Sequence, residues 1–137
     1  MRRFRFWIPA SAALAVGILV SVAALAAQER RDHPLARIAE IEIDPQQVEP
    51  YRAALREGIE AAIRSEPGVL ALYAVAVKDH PEQIRVFEVY ASQAAYASHL
   101  QTAHFKKYKA TTQHMVRSFK LIETDPVLLA SRAVSTR

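Results

Sequence analysis

Past its apolar first 27 residues, the sequence predicts an α+β fold: a ferredoxin-like antiparallel sheet with helices on one face. Three observations carry this. "LARIAEIEI", Leu35 to Ile43, alternates apolar and polar residues with a period of two. Val48, Tyr51, Leu55, Ile59 and Ala62 then recur at helical steps of three and four. Finally the apolar run "VLALYAVAV", Val69 to Val77, is followed after a turn containing Pro81 by a second strand pattern. With a helical region and a last strand behind them, the order is strand, helix, strand, strand, helical region, strand.

The first strand has one wet face. "DPQQ" opens the helix: Asp44 is the expected N-cap, Pro45 stands at the first helical position, and Gln47 reaches back in a capping-box role. Pro50 lacks an amide hydrogen inside the stripe and predicts a kink or a short first turn. The stripe runs to Arg64, and "EPG" at Glu66 to Gly68 ends it. Val69–Val77, apolar throughout, reads as a strand with both faces buried, paired antiparallel with Ile84–Ala91. Ser92 caps a helix from Gln93 to about Gln101. A second helical piece, about Ala103 to Val116, turns Phe105, Tyr108, Thr112 and Met115 or Val116 inward. "SFKLIETDPVLL" returns to strand and is interrupted at Asp125-Pro126. The domain is thus expected over 34–130, with 131–137 as a flexible tail. Helices on one side leave the other face of the sheet open, although its central strand is apolar on both. A second copy packed sheet to sheet covers it, so a homodimer is expected.

The first 27 residues read as a signal peptide or N-terminal membrane anchor. Arg2, Arg3 and Arg5 precede an uncharged run from Trp7, and Ala24 and Ala26 fit the −3 and −1 positions of a cleavage site. Export to the periplasm or beyond follows, with contact to membrane only through that segment if it is uncleaved. Without positions 1–26, which hold three of the 18 basic residues and none of the 14 acidic ones, 15 bases face 14 acids, a net of +1. No nucleic-acid-binding face is indicated, and Lys106, Lys107 and Lys109 read as a solvated helix face. Absence of cysteine excludes thiolate chemistry and Cys-rich metal sites. Gly58 and Gly68 are the only glycines past the leader, so neither a P-loop nor GxGxxG can be written.

Chemically capable side chains concentrate in "HLQTAHFKKY", His99 to Tyr108. Five-residue spacing on an unbroken helix turns two imidazoles about 140° apart; a break near Thr102 would reunite them. No nearby Asp or Glu offers a third ligand, so no metal is expected. Glu88, a carboxylate within an apolar strand, needs a partner, with a histidine or an arginine as the candidates. A partly buried imidazole beside a carboxylate can take a phenolic proton near neutral pH. Tyr73, Tyr90, Tyr96 and Tyr108 offer flat apolar area with hydroxyl tips, suited to an aromatic ligand. The plainer alternatives are a Glu88 that holds an imidazole or Arg85 without chemistry, and tyrosines that fill a core.

"EPGVLALY", "FEVYASQAAYASHL" and "TAHFKKY" together resemble the antibiotic biosynthesis monooxygenase family, including its quinol monooxygenase-like members, over Ile38 to Glu123. The resemblance implies a dimeric α+β barrel and oxygenation by O2 without cofactor. It implies that His99 and His104 act as base or phenol-binding groups and that Glu88 orients one of them. Tyr73, Phe87, Tyr90, Tyr96 and Phe105 would line the pocket. The expected function is an exported monooxygenase acting on a quinol or polycyclic phenol; the alternatives are a dimeric barrel that binds or senses a small aromatic compound, and a structural partner of an envelope complex. Haem degradation, which related barrels perform with asparagine, tryptophan and histidine, is disfavoured: there is no asparagine, and the one tryptophan is Trp7.

Overall fold

The computed structural model describes residues 33–132; the expectations for the N-terminal segment and for the last five residues lie outside the described residues. The elements are β1 (Leu35–Ile43), a 3-10 turn (Pro45–Gln47), α1 (Val48–Ser65), β2 (Val69–Val77), β3 (His80–Tyr90), α2 (Gln93–His99), α3 (Ala103–Thr112) and β4 (Val116–Thr124). The four strands form one antiparallel sheet in the order β2-β3-β1-β4, with the helices on one face, the ferredoxin-like arrangement expected. No helix among the described residues is long and apolar enough to cross a membrane.

Local chemistry explains the element boundaries. The Asp44 carboxylate accepts the Gln46 N–H at 2.9 Å, which closes the short turn ahead of α1. Gln47 makes no side-chain capping bond. Pro50 falls in the first turn of α1, where no intrahelical N–H is missed, so the helix runs on without a break. The β2–β3 hairpin turns on Lys78 and Asp79 alone, Val77 pairing with His80. Asp79 takes the left-handed conformation, φ 63°, that Asp tolerates. β3 consequently begins at His80, earlier than expected, with Pro81 in its exposed first stretch. Ser92 caps α2 by accepting the Ala95 N–H, and Thr102 caps α3 by accepting that of Phe105. Between these caps the helical region breaks where the sequence allows it.

Period-two alternation sends Ala39, Ile41 and Ile43 of β1 and Ile84 and Val86 of β3 to the helix side. There they pack with Val48 and Tyr51 of α1 and with Met115. A smaller cluster joins Ala62, Val69 and Tyr90. Val69–Val77 differs from expectation: β2 lies at the edge of the sheet, and Leu70, Tyr73 and Val75 are each about half exposed. Its apolarity reflects the outer face of the sheet, where Tyr73, Phe87, Ile38 and Ile122 stand in one cross-strand row. Among the described residues nothing covers Tyr73 and Phe87 of that row, which are 50 % and 43 % exposed.

Candidate active site

Between the helix layer and the sheet lies a cavity of about 240 Å³. Its apolar wall includes Leu55, Ile59, Leu72, Val86, Leu100, Phe105 and Leu121; its polar groups include Glu88, Tyr90, Tyr96, His99, His104, Tyr51 and Tyr108, with Lys109, Thr112 and Gln113 beside them. An engineered apolar cavity of about 150 Å³ admits benzene, so this one has room for a substituted aromatic of one or two rings. The convergence of a few polar groups in an apolar concavity is the usual form of a small-molecule site.

The break at Leu100–Thr102 decides the histidine geometry. His99 ends α2 and His104 sits in the first turn of α3, so the five-residue spacing no longer separates the rings; their centroids are 6.1 Å apart. Both reach the same oxygen. Glu66 Oε1 lies 2.8 Å from His99 Nδ1 and 2.5 Å from His104 Nε2. The Glu66 and His99 side chains are almost fully buried, and that of His104 is less so, 22 % exposed. His99 also packs edge-on against Phe105, at 4.9 Å between centroids, and beside Tyr90 at 5.5 Å.

Glu88 has a different partner from the one expected. Its Oε2 accepts the Tyr90 hydroxyl at 3.0 Å, a neighbour on the same face of β3, while the imidazoles are held by Glu66. Burial pushes the Glu88 carboxyl above the usual carboxylate range, against the opposing pull of the Tyr90 hydrogen bond and of nearby His99 and Arg37. Arg37 is itself buried. It pairs with Glu123 at 3.2 Å and lies over the Tyr96 ring at 4.1 Å, which fixes that ring against the cavity. Further along α3, the hydroxyls of Tyr108 and the fully buried Tyr51 meet at 2.6 Å. Burial raises the pKa of Tyr51, Tyr90 and Tyr108, so all three stay neutral near pH 7.

Of the residues expected at the site, His99, His104, Glu88, Tyr90, Tyr96, Phe105 and Tyr108 line the cavity. Tyr73 and Phe87 do not: they lie on the opposite face of the sheet, 50 % and 43 % exposed. Alternation along β3 is the reason, because Glu88 and Tyr90 face the helices and Phe87 between them cannot. Glu66, which holds both imidazoles, and Tyr51, which lines the cavity, are the residues of this candidate site that sequence reasoning missed. Glu66 also supplies the acidic third group that the histidine segment lacks, making a donor set of Glu66, His99 and His104 whose ligand atoms lie within 4.8 Å of one another. As arranged the trio is a hydrogen-bonded one. Two ligands at about 2.0–2.1 Å from a tetrahedral zinc stand about 3.4 Å apart, whereas the oxygen here lies at 2.8 and 2.5 Å from the nitrogens.

Fold and cavity together define a small ferredoxin-like α+β protein with a histidine-bearing pocket between its helices and its sheet. The profile of the family described as antibiotic biosynthesis monooxygenase matches residues 34–111, and the chain belongs to that family. Solved structures named for the same family are similar. One from Bacteroides thetaiotaomicron is 45 % identical, with a TM-score of 0.71 over 74 % of this chain and 97 % of its own. One from Caulobacter crescentus, 20 % identical, has a TM-score of 0.68 over 74 % and 96 %. One from Nitrosomonas europaea, 22 % identical, has a TM-score of 0.66 over 69 % and 99 %. The last two share the fold. No protein of curated function matches the chain.

Proposed function

We propose that this protein is a cofactor-independent monooxygenase that oxidises a quinol or related phenol of one or two rings with O2. The observation that carries the reading is His99, buried on the wall of an apolar cavity and tied to a carboxylate at 2.8 Å. His99 takes a phenolic proton, and the electron-rich anion gives an electron to O2 inside a largely apolar pocket. Recombination of the radical pair forms a carbon–oxygen bond to a peroxide anion, which takes the proton back from His99 as a hydroperoxide. The carbon that bears it then loses its C–H proton, that electron pair forms the new carbonyl as the O–O bond breaks, and the departing hydroxide leaves with the proton as water. For a hydroquinone the balance is QH2 + O2 giving a hydroxyquinone and H2O, with every electron drawn from the substrate. Tyr90, Tyr96 and Phe105 hold the ring, and Glu88 and the Tyr51–Tyr108 pair offer further hydrogen bonds to its oxygens.

The reading includes a homodimer, supported by the outer-face row of Tyr73, Phe87, Ile38 and Ile122, and export by the N-terminal segment, supported by its sequence pattern. Oxygen uptake with a panel of hydroquinones tests the activity. Uptake should be present without added cofactor and lost in His99→Ala or His104→Ala while the circular dichroism of the fold persists. Thermal stabilisation by the same compounds with no oxygen uptake would replace the enzyme with a binding protein.

A further inference from the structure

We infer that Glu66 is the positioning residue of this site and that it acts by fixing which nitrogen of each imidazole is bare, an inference that rests on reading His99 as the base. An ionised carboxylate has only lone pairs to offer. Its Oε1 faces Nδ1 of His99 and Nε2 of His104, so both of those nitrogens carry hydrogen. In the neutral rings the opposite nitrogens therefore carry none. The two histidines are held in opposite tautomers: His99 is Nδ1–H with a bare Nε2, and His104 is Nε2–H with a bare Nδ1.

The holder is itself held. Glu66 closes α1 by donating its backbone N–H to Ala62 at 2.9 Å, and its carbonyl accepts the Val69 N–H at 3.0 Å as β2 begins. Its side chain is 12 % exposed and has two hydrogen-bonded neighbours. This is the arrangement in which a base is oriented by a third group, distributed here over the α1–β2 junction and the two short helices. It also separates the roles of the two rings. His99, wedged between Tyr90 and Phe105, lines the cavity, and with Nδ1 tied to Glu66 its Nε2 is the nitrogen left to accept a proton. His104, the more exposed ring, completes the pair of donors that keeps the Glu66 oxygen in place.

Nitrogen NMR of the histidine side chains in the full chain, in alkaline buffer and with signals assigned through His99→Gln and His104→Gln, reads each tautomer without requiring turnover. Wild type should show His99 protonated at Nδ1 and bare at Nε2, and the reverse for His104. Glu66→Gln keeps an acceptor oxygen and should keep both assignments. Glu66→Leu removes it and should release both rings into tautomer mixtures, with kcat for oxygen uptake falling about tenfold or more and KM little changed, within the ~10²–10⁴ that a positioned base contributes. A wild-type His99 bare at Nδ1 overturns the inference, as does full kcat in a Glu66→Leu variant whose tautomers are released. Should Glu66→Leu fail to fold, the wild-type and Glu66→Gln spectra still decide. Absence of oxygen uptake by wild type overturns the monooxygenase reading instead, and the spectrum judges the tautomers alone.

Discussion

Two glycines separate the tolerant part of the scaffold from the part that positions His99. Gly58 lies inside α1, and a Cβ built there meets the Tyr108 Cβ at 3.5 Å, an ordinary contact. Gly58→Ala should therefore gain the helix preference of alanine, about 0.5–1 kcal/mol. Gly68 sits just after Glu66, and its Cβ would stand 2.7 Å from the Ala95 Cβ in α2. Carbon atoms pack at about 3.5–4.0 Å, so α2 must retreat by about 1 Å. Overpacking of this kind costs about 1–3 kcal/mol, offset by about 0.4–1 kcal/mol from the less flexible unfolded chain. Neither glycine has a positive φ, so backbone strain does not enter. The two variants should differ by about 2 kcal/mol in equilibrium urea unfolding at one protein concentration, with equal m-values. Because α2 ends at His99, Gly68→Ala should also lower kcat, while Gly58→Ala gains stability. A Gly68→Ala protein as stable as Gly58→Ala would refute the packing of α2 against the α1–β2 junction.

Three further outcomes follow from the site. Glu88 has a folded-state pKa raised by burial, so it weakens the fold as pH rises from the ordinary glutamate range of about 4.3 through its raised value. Glu88→Gln, which keeps an acceptor for Tyr90, should stabilise the protein above that window, and the gain should vanish below it in urea titrations across pH. Tyr51→Phe leaves the Tyr108 hydroxyl without its partner and should cost about 1–3 kcal/mol, whereas the Tyr51→Phe, Tyr108→Phe double variant should recover most of that, since removing both partners is nearly neutral. Dialysis against a strong chelator should leave oxygen uptake unchanged; its loss, with recovery on adding one metal, would make Glu66, His99 and His104 a metal centre.

Much of the fold was legible in local periodicity. The alternation of Leu35–Ile43, the stripe from Val48 to Ala62 and the cap at Ser92 each depend on a few neighbouring residues, and the structure follows them. Edge and centre of the sheet were not legible, because apolarity along Val69–Val77 does not say which surface will cover it. The candidate site divides in the same way. Its histidines stand out as a cluster, but their carboxylate lies 33 and 38 residues away in the chain, and only the fold joins them. Glu66 did carry a weak signal, an acid at a helix stop between apolar segments. Phe87 was misplaced through family likeness although the alternation of β3 already assigned it to the far face. Tyr51 was read as one member of a helical stripe, and its hydroxyl partner across the core has no local trace.

Labelled oxygen tests the central chemistry most directly. Wild-type protein given 18O2 and a hydroquinone, with no reductant or cofactor added, should place one heavy atom in the quinone product and the other in water, and His99→Ala should do neither. Heavy oxygen recovered only as hydrogen peroxide, or equal labelling of the product by His99→Ala, would contradict the account.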